Sequence, residues 1–233
     1  MQQAPFKYPY KSVGFLSVEY ADDQQGMRIY RHASGFLIRD NFILTAAHTF
    51  VSQHQDQHLL GARFHLWGQE GSCELTDWAF HPDYPRPPTL IPSCFAYDLV
   101  VAKLNRRLNE YPLALEALDD GDRLGRTRLT CAGYTDAHSG VWRAKPTIDG
   151  WPAQDYDRNW PIFLPNGTTV PTTSGGPVMR KRTDGYPVVV GLIQSNTTFR
   201  NNTRNTSFTV DLAVPIRVNP TENFIRNFIG NNS

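Results

Sequence analysis

Short apolar segments bounded by turn-forming residues dominate this chain, and helical periodicity is scarce. The segments are rich in β-branched and aromatic residues, which is typical of strands that are half or fully buried in a sheet. The clearest segments are Val13–Val18, Gly35–Ile38, Phe64–Trp67, Leu99–Ala102 and Val188–Ile193. Because many short strands with few helices favour antiparallel barrels, in which closure removes exposed sheet edges, the pattern predicts an all-β protein.

Two stretches depart from the strand pattern. Residues Ala47–Ser52 predict a single helical turn, and Thr221–Ile229 spaces its apolar residues at helical intervals behind Thr221 as an N-cap. The sequence therefore predicts a final α-helix packed on the barrels. The basic cluster Arg180–Arg182 comes just before Thr183–Gly185 and predicts a solvated hairpin turn.

A chain of 233 residues is long enough for two small barrels. Pro112 and the polar run 119–122 interrupt the strand pattern and predict the crossover between them. The expected division is an N-terminal barrel over residues 1–110, a crossover over 111–125, a C-terminal barrel over 126–218, and a helix with its tail over 219–233.

The charge balance and the hydropathy narrow the range of partners. A net charge of +1 and a charged fraction of 19% give no basis for binding nucleic acid or an anionic membrane. No run approaches the roughly 18 apolar residues that a membrane span needs. The start Met1–Pro5 lacks the charged head and apolar stretch of a signal peptide. We expect a soluble monomer without a nucleic-acid or membrane partner.

The three cysteines, Cys73, Cys94 and Cys131, exclude a disulfide-dense framework and show no metal-type spacing. A Cys73–Cys94 bridge and free buried thiols both remain open. His54 and His58 stand four residues apart, but no glutamate follows His54 and no third ligand is evident. We therefore expect neither a metal nor an organic cofactor.

Three segments in fixed order carry the elements of a nucleophilic site: Thr45–His48, Tyr97–Leu104 and Thr173–Val178. A serine hydroxyl is a poor nucleophile at neutral pH and needs an imidazole beside it, with a buried carboxylate behind the imidazole. The segments predict His48 as general base and acid, Asp98 as the orienting carboxylate and Ser174 as the nucleophile. The structural alternatives are a core histidine, a strand-capping aspartate and a Gly-Gly-Pro turn that happens to follow a serine.

The order His, Asp, Ser and the sequence around each residue resemble the trypsin/chymotrypsin-like serine peptidases. Gly35–Ile38 followed by Phe42–His48 resembles the strand pair that delivers the catalytic histidine of that family. His81–Tyr84 resembles the approach to the aspartate strand, and Ala132–Tyr134 the opening of the second barrel. The likeness extends from about Gly14 to Val214, nearly the whole chain.

The resemblance implies a chymotrypsin-like fold of two antiparallel six-stranded-type β-barrels with a C-terminal α-helix. It also implies a serine endopeptidase that acts on protein or peptide substrates through an acyl-enzyme on Ser174, secreted or periplasmic, with the active site between the barrels. Ala33 and Thr49 stand where animal digestive members have a disulfide beside the histidine. This departure favours the bacterial-type members that lack the usual disulfides.

The resemblance assigns the oxyanion hole to the backbone N–H groups of Thr172 and Ser174. A glycine is usual at Thr172, so its side chain is expected to restrict how the loop turns. Zymogen-activated members have an aspartate at Thr173 that captures a freshly cut N-terminal amine, and this chain also lacks their Ile/Val-Val-Gly-Gly start. We therefore expect a pocket that does not depend on a new N-terminus.

The specificity pocket is assigned by offset from Ser174 and by the same resemblance. Thr168 lies where trypsin-like members carry an acidic residue, which argues against a preference for lysine or arginine. The expected wall, which favours a small or medium uncharged side chain, consists of Thr168, Thr169, Ile193, Ser195 and Asn196. Two other functions remain open: a non-catalytic homologue that binds partners through the cleft, and a dedicated processing protease or esterase with one substrate.

Overall fold

A computed structural model describes residues 1–22, 26–52, 57–85, 97–118, 127–136, 140–146, 162–170, 172–201 and 206–233. Strands account for most of the regular structure, as the apolar pattern predicts. The strands are β1 (Gln2–Gln3), β2 (Val13–Asp22), β3 (Met27–Arg39), β4 (Phe42–Thr45), β5 (Gln57–Leu66), β6 (Cys73–Phe80), β7 (Val100–Leu104), β8 (Leu129–Tyr134), β9 (Val141–Ala144), β10 (Ile162–Leu164), β11 (Pro177–Lys181), β12 (Pro187–Asn201) and β13 (Thr206–Pro215).

Six strands of the N-terminal half form a closed antiparallel barrel in the order β2-β3-β4-β7-β6-β5. Alternate side chains of these strands point inward, which is the two-residue period expected of a sheet with one buried face. The interior contains the buried side chains of Leu16, Leu37, Ile43, Phe64 and Val100. In β4 and β7 the register pairs Thr45 with Val100, which aligns the ends of the two strands that lead to His48 and Asp98.

Seven strands form the second sheet in the order β1-β9-β8-β11-β12-β13-β10, a half-barrel within the described part of the chain. The expectation of an all-β, chymotrypsin-like fold with a C-terminal helix is confirmed, as one closed six-stranded barrel and one half-barrel. The short strand β1 comes from the start of the chain, yet it pairs with β9 through Gln2 and Arg143. Side chains of both sheets, among them Leu44, Tyr134 and Leu192, share one hydrophobic core between them.

The C-terminal helix α1 runs from Pro220 to Asn232. It begins two residues earlier than an N-cap at Thr221 would allow, so that assignment is wrong: Asn219 occupies the N-cap position and Thr221 is buried in the first turn. The reason is that proline suits the first position of a helix, where its missing N–H costs nothing. Phe228 packs edge-on against Phe42 of the closed barrel, with 6.2 Å between ring centroids.

Two smaller predictions also have clear outcomes. The helical turn after β4 is present as a 3-10 helix over Ala47–Phe50. The turn between β11 and β12 is a hairpin in which the N–H of Arg182 donates to the carbonyl of Tyr186. No helix in the described residues is long and apolar enough to span a membrane.

The cysteines that the structure describes are free thiols, Cys73 among them. Cys73 and Cys131 are both buried, and Cys94 lies outside the described residues. The Cys73 sulfur accepts a hydrogen bond from Nε of Arg106 at 3.2 Å. The described residues contain no cluster of three or more histidine, cysteine or acidic side chains that could hold a metal ion, and His54 lies outside them.

Candidate active site

His48 stands at the end of the closed barrel, on the 3-10 helix that follows β4. The small side chains of Ala46 and Ala47 are fully buried, so the chain can turn tightly against the barrel wall and leave the imidazole at the surface. The His48 side chain retains 37% of its accessible surface, whereas the Asp98 side chain behind it retains 2%. The ring is therefore partly exposed, while the carboxylate beside its Nδ1 is shielded from water.

Both carboxylate oxygens of Asp98 are hydrogen-bonded to His48. The backbone N–H of His48 donates to Oδ1 at 2.7 Å, and Nδ1 lies 2.6 Å from Oδ2. Because an ionised carboxylate can only accept, Nδ1 must carry the hydrogen, and Nε2 is left as the acceptor nitrogen of the neutral ring. This is the tautomer that a general base requires. Asp98 is in reach because it lies two residues before Val100, which pairs with Thr45 at the end of β4.

Two opposing effects set the pKa of His48, and the effect of Asp98 is the larger. Burial of the ring favours the neutral form and lowers the pKa, but the charge of Asp98 and its hydrogen bond raise it by more. The positive charge of Arg31 lowers it slightly. The net result is a His48 pKa above the usual histidine value of 6.5.

This shift predicts the position of the acid limb in the pH profile. Since His48 must be neutral to accept a proton, kcat/KM should rise with pH through a midpoint above 6.5. In Arg31→Gln, which removes the positive charge that lowers the pKa, the midpoint should move to higher pH. Initial rates on a peptide substrate between pH 5 and 9 measure both. A wild-type midpoint at or below the ordinary histidine value, or a downward shift in Arg31→Gln, would contradict this assignment.

Ser174 lies in a tight turn that packs against the strand end leading to His48. Its carbonyl accepts a 2.7 Å hydrogen bond from the N–H of Ser34 on β3. Gly175 follows with φ +82°, and a Cβ there would lie 2.2 Å from the Ser34 carbonyl oxygen and 2.8 Å from the Ala46 nitrogen. Only glycine fits such a left-handed position pressed against backbone. The turn and the histidine segment are therefore in direct contact.

The described residues include no hydrogen bond between the Ser174 hydroxyl and the His48 ring. Such a bond is often long in a free enzyme and shortens only when substrate binds. The contact between the Ser174 turn and the histidine segment comes from Gly175 and from the Ser34 amide. The Ser174 turn and the His48 segment are thus in contact. Ser174 is a candidate nucleophile because of this contact.

Thr172 adopts the backbone conformation that glycine adopts most readily. Its φ is +71°, a region that costs a non-glycine residue about 1–3 kcal/mol. The expected restriction by its side chain is offset, because Oγ1 donates to the Tyr134 carbonyl at 2.8 Å. Among the described residues, neither the Thr172 nor the Ser174 amide donates to a protein acceptor.

Thr173 is fully buried and finds its partners locally. Its hydroxyl donates to the Val170 carbonyl at 2.6 Å and accepts from the Val170 N–H at 3.2 Å. A neutral hydroxyl with both roles satisfied needs no charged partner. This position therefore differs physically from the aspartate of zymogen-activated relatives, which must be neutralised by an amine.

The predicted pocket residues lie in two places, in the segment that follows β10 and on β12, an interior strand of the second sheet. Thr168 is buried and its hydroxyl donates to the Pro165 carbonyl at 2.6 Å, and Ile193 is buried on β12. The backbones of Ser195 and Asn196 continue β12, where they pair with Leu212 and Asp211 of β13.

Asp211 is the functional candidate that the sequence reasoning missed. The N–H of Thr169 donates to its Oδ2 at 2.9 Å, and its Oδ1 has no hydrogen-bond partner in the described part of the chain. The carboxylate is fully buried, and its charge, after burial itself, raises the pKa of the Cys131 thiol. The available signal was one acidic residue inside the apolar run 210–214.

The chain belongs to the trypsin family. A model of that family, described as Trypsin, matches residues 16–160, more than half of the sequence. The match includes His48 and Asp98 and ends before Ser174. The protein is accordingly a serine endopeptidase. No curated protein matches the sequence at a significant level.

Solved structures show the same fold at low sequence identity. A Glu endopeptidase in complex with MPD superposes with a TM-score of 0.65 at 13% identity, over 100% of this chain and 95% of its own. A mutant of human heparin binding protein gives 0.64 at 16%, over 100% and 96%. A thermostable serine protease from an extremophilic microorganism gives 0.63 at 12%, over 94% and 97%. At these identities the likeness establishes the fold alone.

Proposed function

We propose that the protein hydrolyses peptide bonds through an acyl-enzyme on Ser174, with His48 as general base and acid and Asp98 as the orienting carboxylate. The observation that carries the proposal is the doubly hydrogen-bonded His48–Asp98 pair, against whose segment the Ser174 turn is packed. Because Nδ1 is bonded to Asp98, Nε2 of this partly exposed imidazole is the nitrogen left to exchange a proton with Ser174.

In the first half of the reaction, the Ser174 Oγ attacks the scissile carbonyl carbon while His48 Nε2 takes the hydroxyl proton. The carbonyl oxygen becomes negatively charged, and the amides of Thr172 and Ser174 stabilise it. His48 then donates the proton to the leaving amine, and the C–N bond breaks. Water, deprotonated by the same nitrogen, attacks the acyl carbon. The bond from that carbon to Ser174 Oγ then breaks, His48 returns the proton to Oγ, and the acid product leaves. Asp98 stabilises the imidazolium in both halves.

The proposed pocket accepts a small or medium uncharged side chain. Thr168, Thr169 and Ile193 contribute no charge, and Ser195 and Asn196 extend the wall along β12. Because Thr173 makes its hydrogen bonds with Val170, we further propose that the pocket forms without an N-terminal amine. We also propose that the protein is a secreted or periplasmic monomer. Residues 111–125 would link its two barrel units.

A second candidate function is binding without catalysis. One structural neighbour with this fold is named a heparin binding protein. Thr172 and Thr173 also depart from the family pattern at the oxyanion loop. The Asp98-oriented imidazole favours catalysis, because a binding module has no need of that tautomer.

A peptide library that varies the residue before the scissile bond separates these functions. Wild type should cleave many members after uncharged small or medium residues, and Ser174→Ala should cleave none. Cleavage of very few members would instead indicate a dedicated processing enzyme. A preference for lysine or arginine would contradict the proposed uncharged pocket. No cleavage at all by folded wild type would favour the binding module.

A further inference from the structure

Ser34 is a buried polar residue at the point where three segments of the active site meet. It lies on β3, opposite Phe15 of β2, and has 0% of its surface exposed. Its N–H donates to the Ser174 carbonyl at 2.7 Å. Its own carbonyl accepts from the Thr45 hydroxyl at 2.7 Å, three residues before His48. The backbone of Ser34 therefore connects the nucleophile turn to the histidine strand.

The Ser34 hydroxyl makes two further hydrogen bonds that any residue without a hydroxyl would lose. Oγ donates to the Thr172 carbonyl at 2.8 Å and accepts from the Tyr134 N–H at 2.8 Å. The single donor and one acceptor site of the hydroxyl are thus both used, which fixes its rotation. Thr172 returns a bond of its own from Oγ1 to the Tyr134 carbonyl. The three residues form a closed ring of hydrogen bonds.

The ring is tightly enclosed. A Cβ at Gly133 would lie 2.9 Å from the Ser34 hydroxyl and 3.1 Å from the Thr173 Cα. These distances are too short for any side chain at Gly133, so β8 packs directly against Ser34 and the loop Thr172–Ser174. The hydroxyl therefore links the Thr172 carbonyl to Tyr134 at the end of β8.

We propose that Ser34 is a positioning residue: its hydroxyl holds the Thr172 carbonyl and thereby maintains the positive φ of Thr172, which sets the direction of the Thr172 N–H toward the developing oxyanion. The proposal rests on the proposed function, because it requires that this loop binds the oxyanion. Thr172 sits at a positive φ that a threonine does not adopt readily, and its carbonyl and side chain are the two groups that hold it there. Without the Ser34 hydroxyl, the carbonyl loses its partner, and the peptide turns toward a conformation that suits threonine.

The test compares Ser34→Ala with Ser12→Ala on a peptide substrate. Ser12 is a matched control because it is also fully buried and its hydroxyl also donates to a backbone carbonyl, that of Tyr111 at 2.6 Å, away from the site. Ser34→Ala should lower kcat about ten- to a hundredfold with KM nearly unchanged, somewhat less than the full loss of one oxyanion donor. Ser12→Ala should keep kcat within twofold.

A second readout isolates the oxyanion loop from general damage. A peptidyl boronate, whose tetrahedral adduct places an oxygen in the oxyanion hole, should bind Ser34→Ala more weakly by the same factor as the loss in kcat/KM. A product peptide should bind both forms equally, and the acid limb of the pH profile should stay in place because the His48–Asp98 pair is intact.

The outcomes separate the two proposals. If wild type shows no Ser174-dependent hydrolysis, the proposed function fails. If wild type hydrolyses through Ser174 but Ser34→Ala keeps kcat within threefold, or Ser12→Ala loses as much, the role of Ser34 is overturned. Unchanged boronate affinity in Ser34→Ala would overturn it as well.

Discussion

Replacing Ser174 with alanine should lower kcat for peptide hydrolysis by about 10⁶-fold, to the level left by binding and the oxyanion amides. The substitution removes the only atom that can form the acyl-enzyme in the proposed mechanism, while the turn itself is held by backbone bonds from Ser34 and Ile193. The thermal stability should therefore change little. Steady-state kinetics on the best library peptide, beside a melting curve, measure both quantities.

Ser17→Ala provides the matched control for this loss. Ser17 lies on β2 of the closed barrel, away from the catalytic segments, so its removal should leave kcat unchanged. Residual activity of Ser174→Ala above one-hundredth of wild type, after exclusion of contaminating protease, would rule out Ser174 as the nucleophile.

Replacing Asp98 with asparagine should lower kcat by about 10⁴-fold, the magnitude typical of this change in Ser-His-Asp triads. The amide fits the space of the carboxylate, but its NH₂ group donates where Asp98 accepts, which favours the wrong His48 tautomer. The loss of negative charge also removes the interactions that raise the His48 pKa. Any remaining activity should therefore have its acid limb at lower pH than wild type.

Asp77→Asn is the control for the loss of one carboxylate, because Asp77 is exposed on β6. Its kcat and pH profile should match wild type. If Asp98→Asn lowers kcat by less than tenfold, the observed His48–Asp98 pair is structural rather than catalytic.

The sequence was sufficient for the features that local patterns control. Short β-branched and aromatic segments bounded by turn formers mark the strands, and the glycines after Ser174 mark the turn there. The proximity of His48 to Asp98 follows from one register, Thr45 opposite Val100, once β4 and β7 are neighbours. That neighbour relation came from the family resemblance, since strand order is not contained in a local pattern.

The features that the sequence did not predict depend on contacts between distant residues. Ser34 meets Thr172 across 138 positions of sequence, and nothing in the apolar run around Ser34 indicates that partner. The left-handed φ of Thr172 contradicts its local preference and exists because Tyr134 and Ser34 hold it. Asp211 likewise becomes informative only when the register of β12 and β13 places it beside Asn196.

The most direct test of the proposed mechanism is covalent labelling with a fluorophosphonate probe, followed by peptide mapping. The probe reacts with an activated serine hydroxyl, so we expect one modified residue, Ser174, in the folded wild-type protein. Labelling should disappear in Ser174→Ala and slow strongly in Asp98→Asn. Modification of a different serine, or an unlabelled wild type that still hydrolyses peptides, would contradict the account.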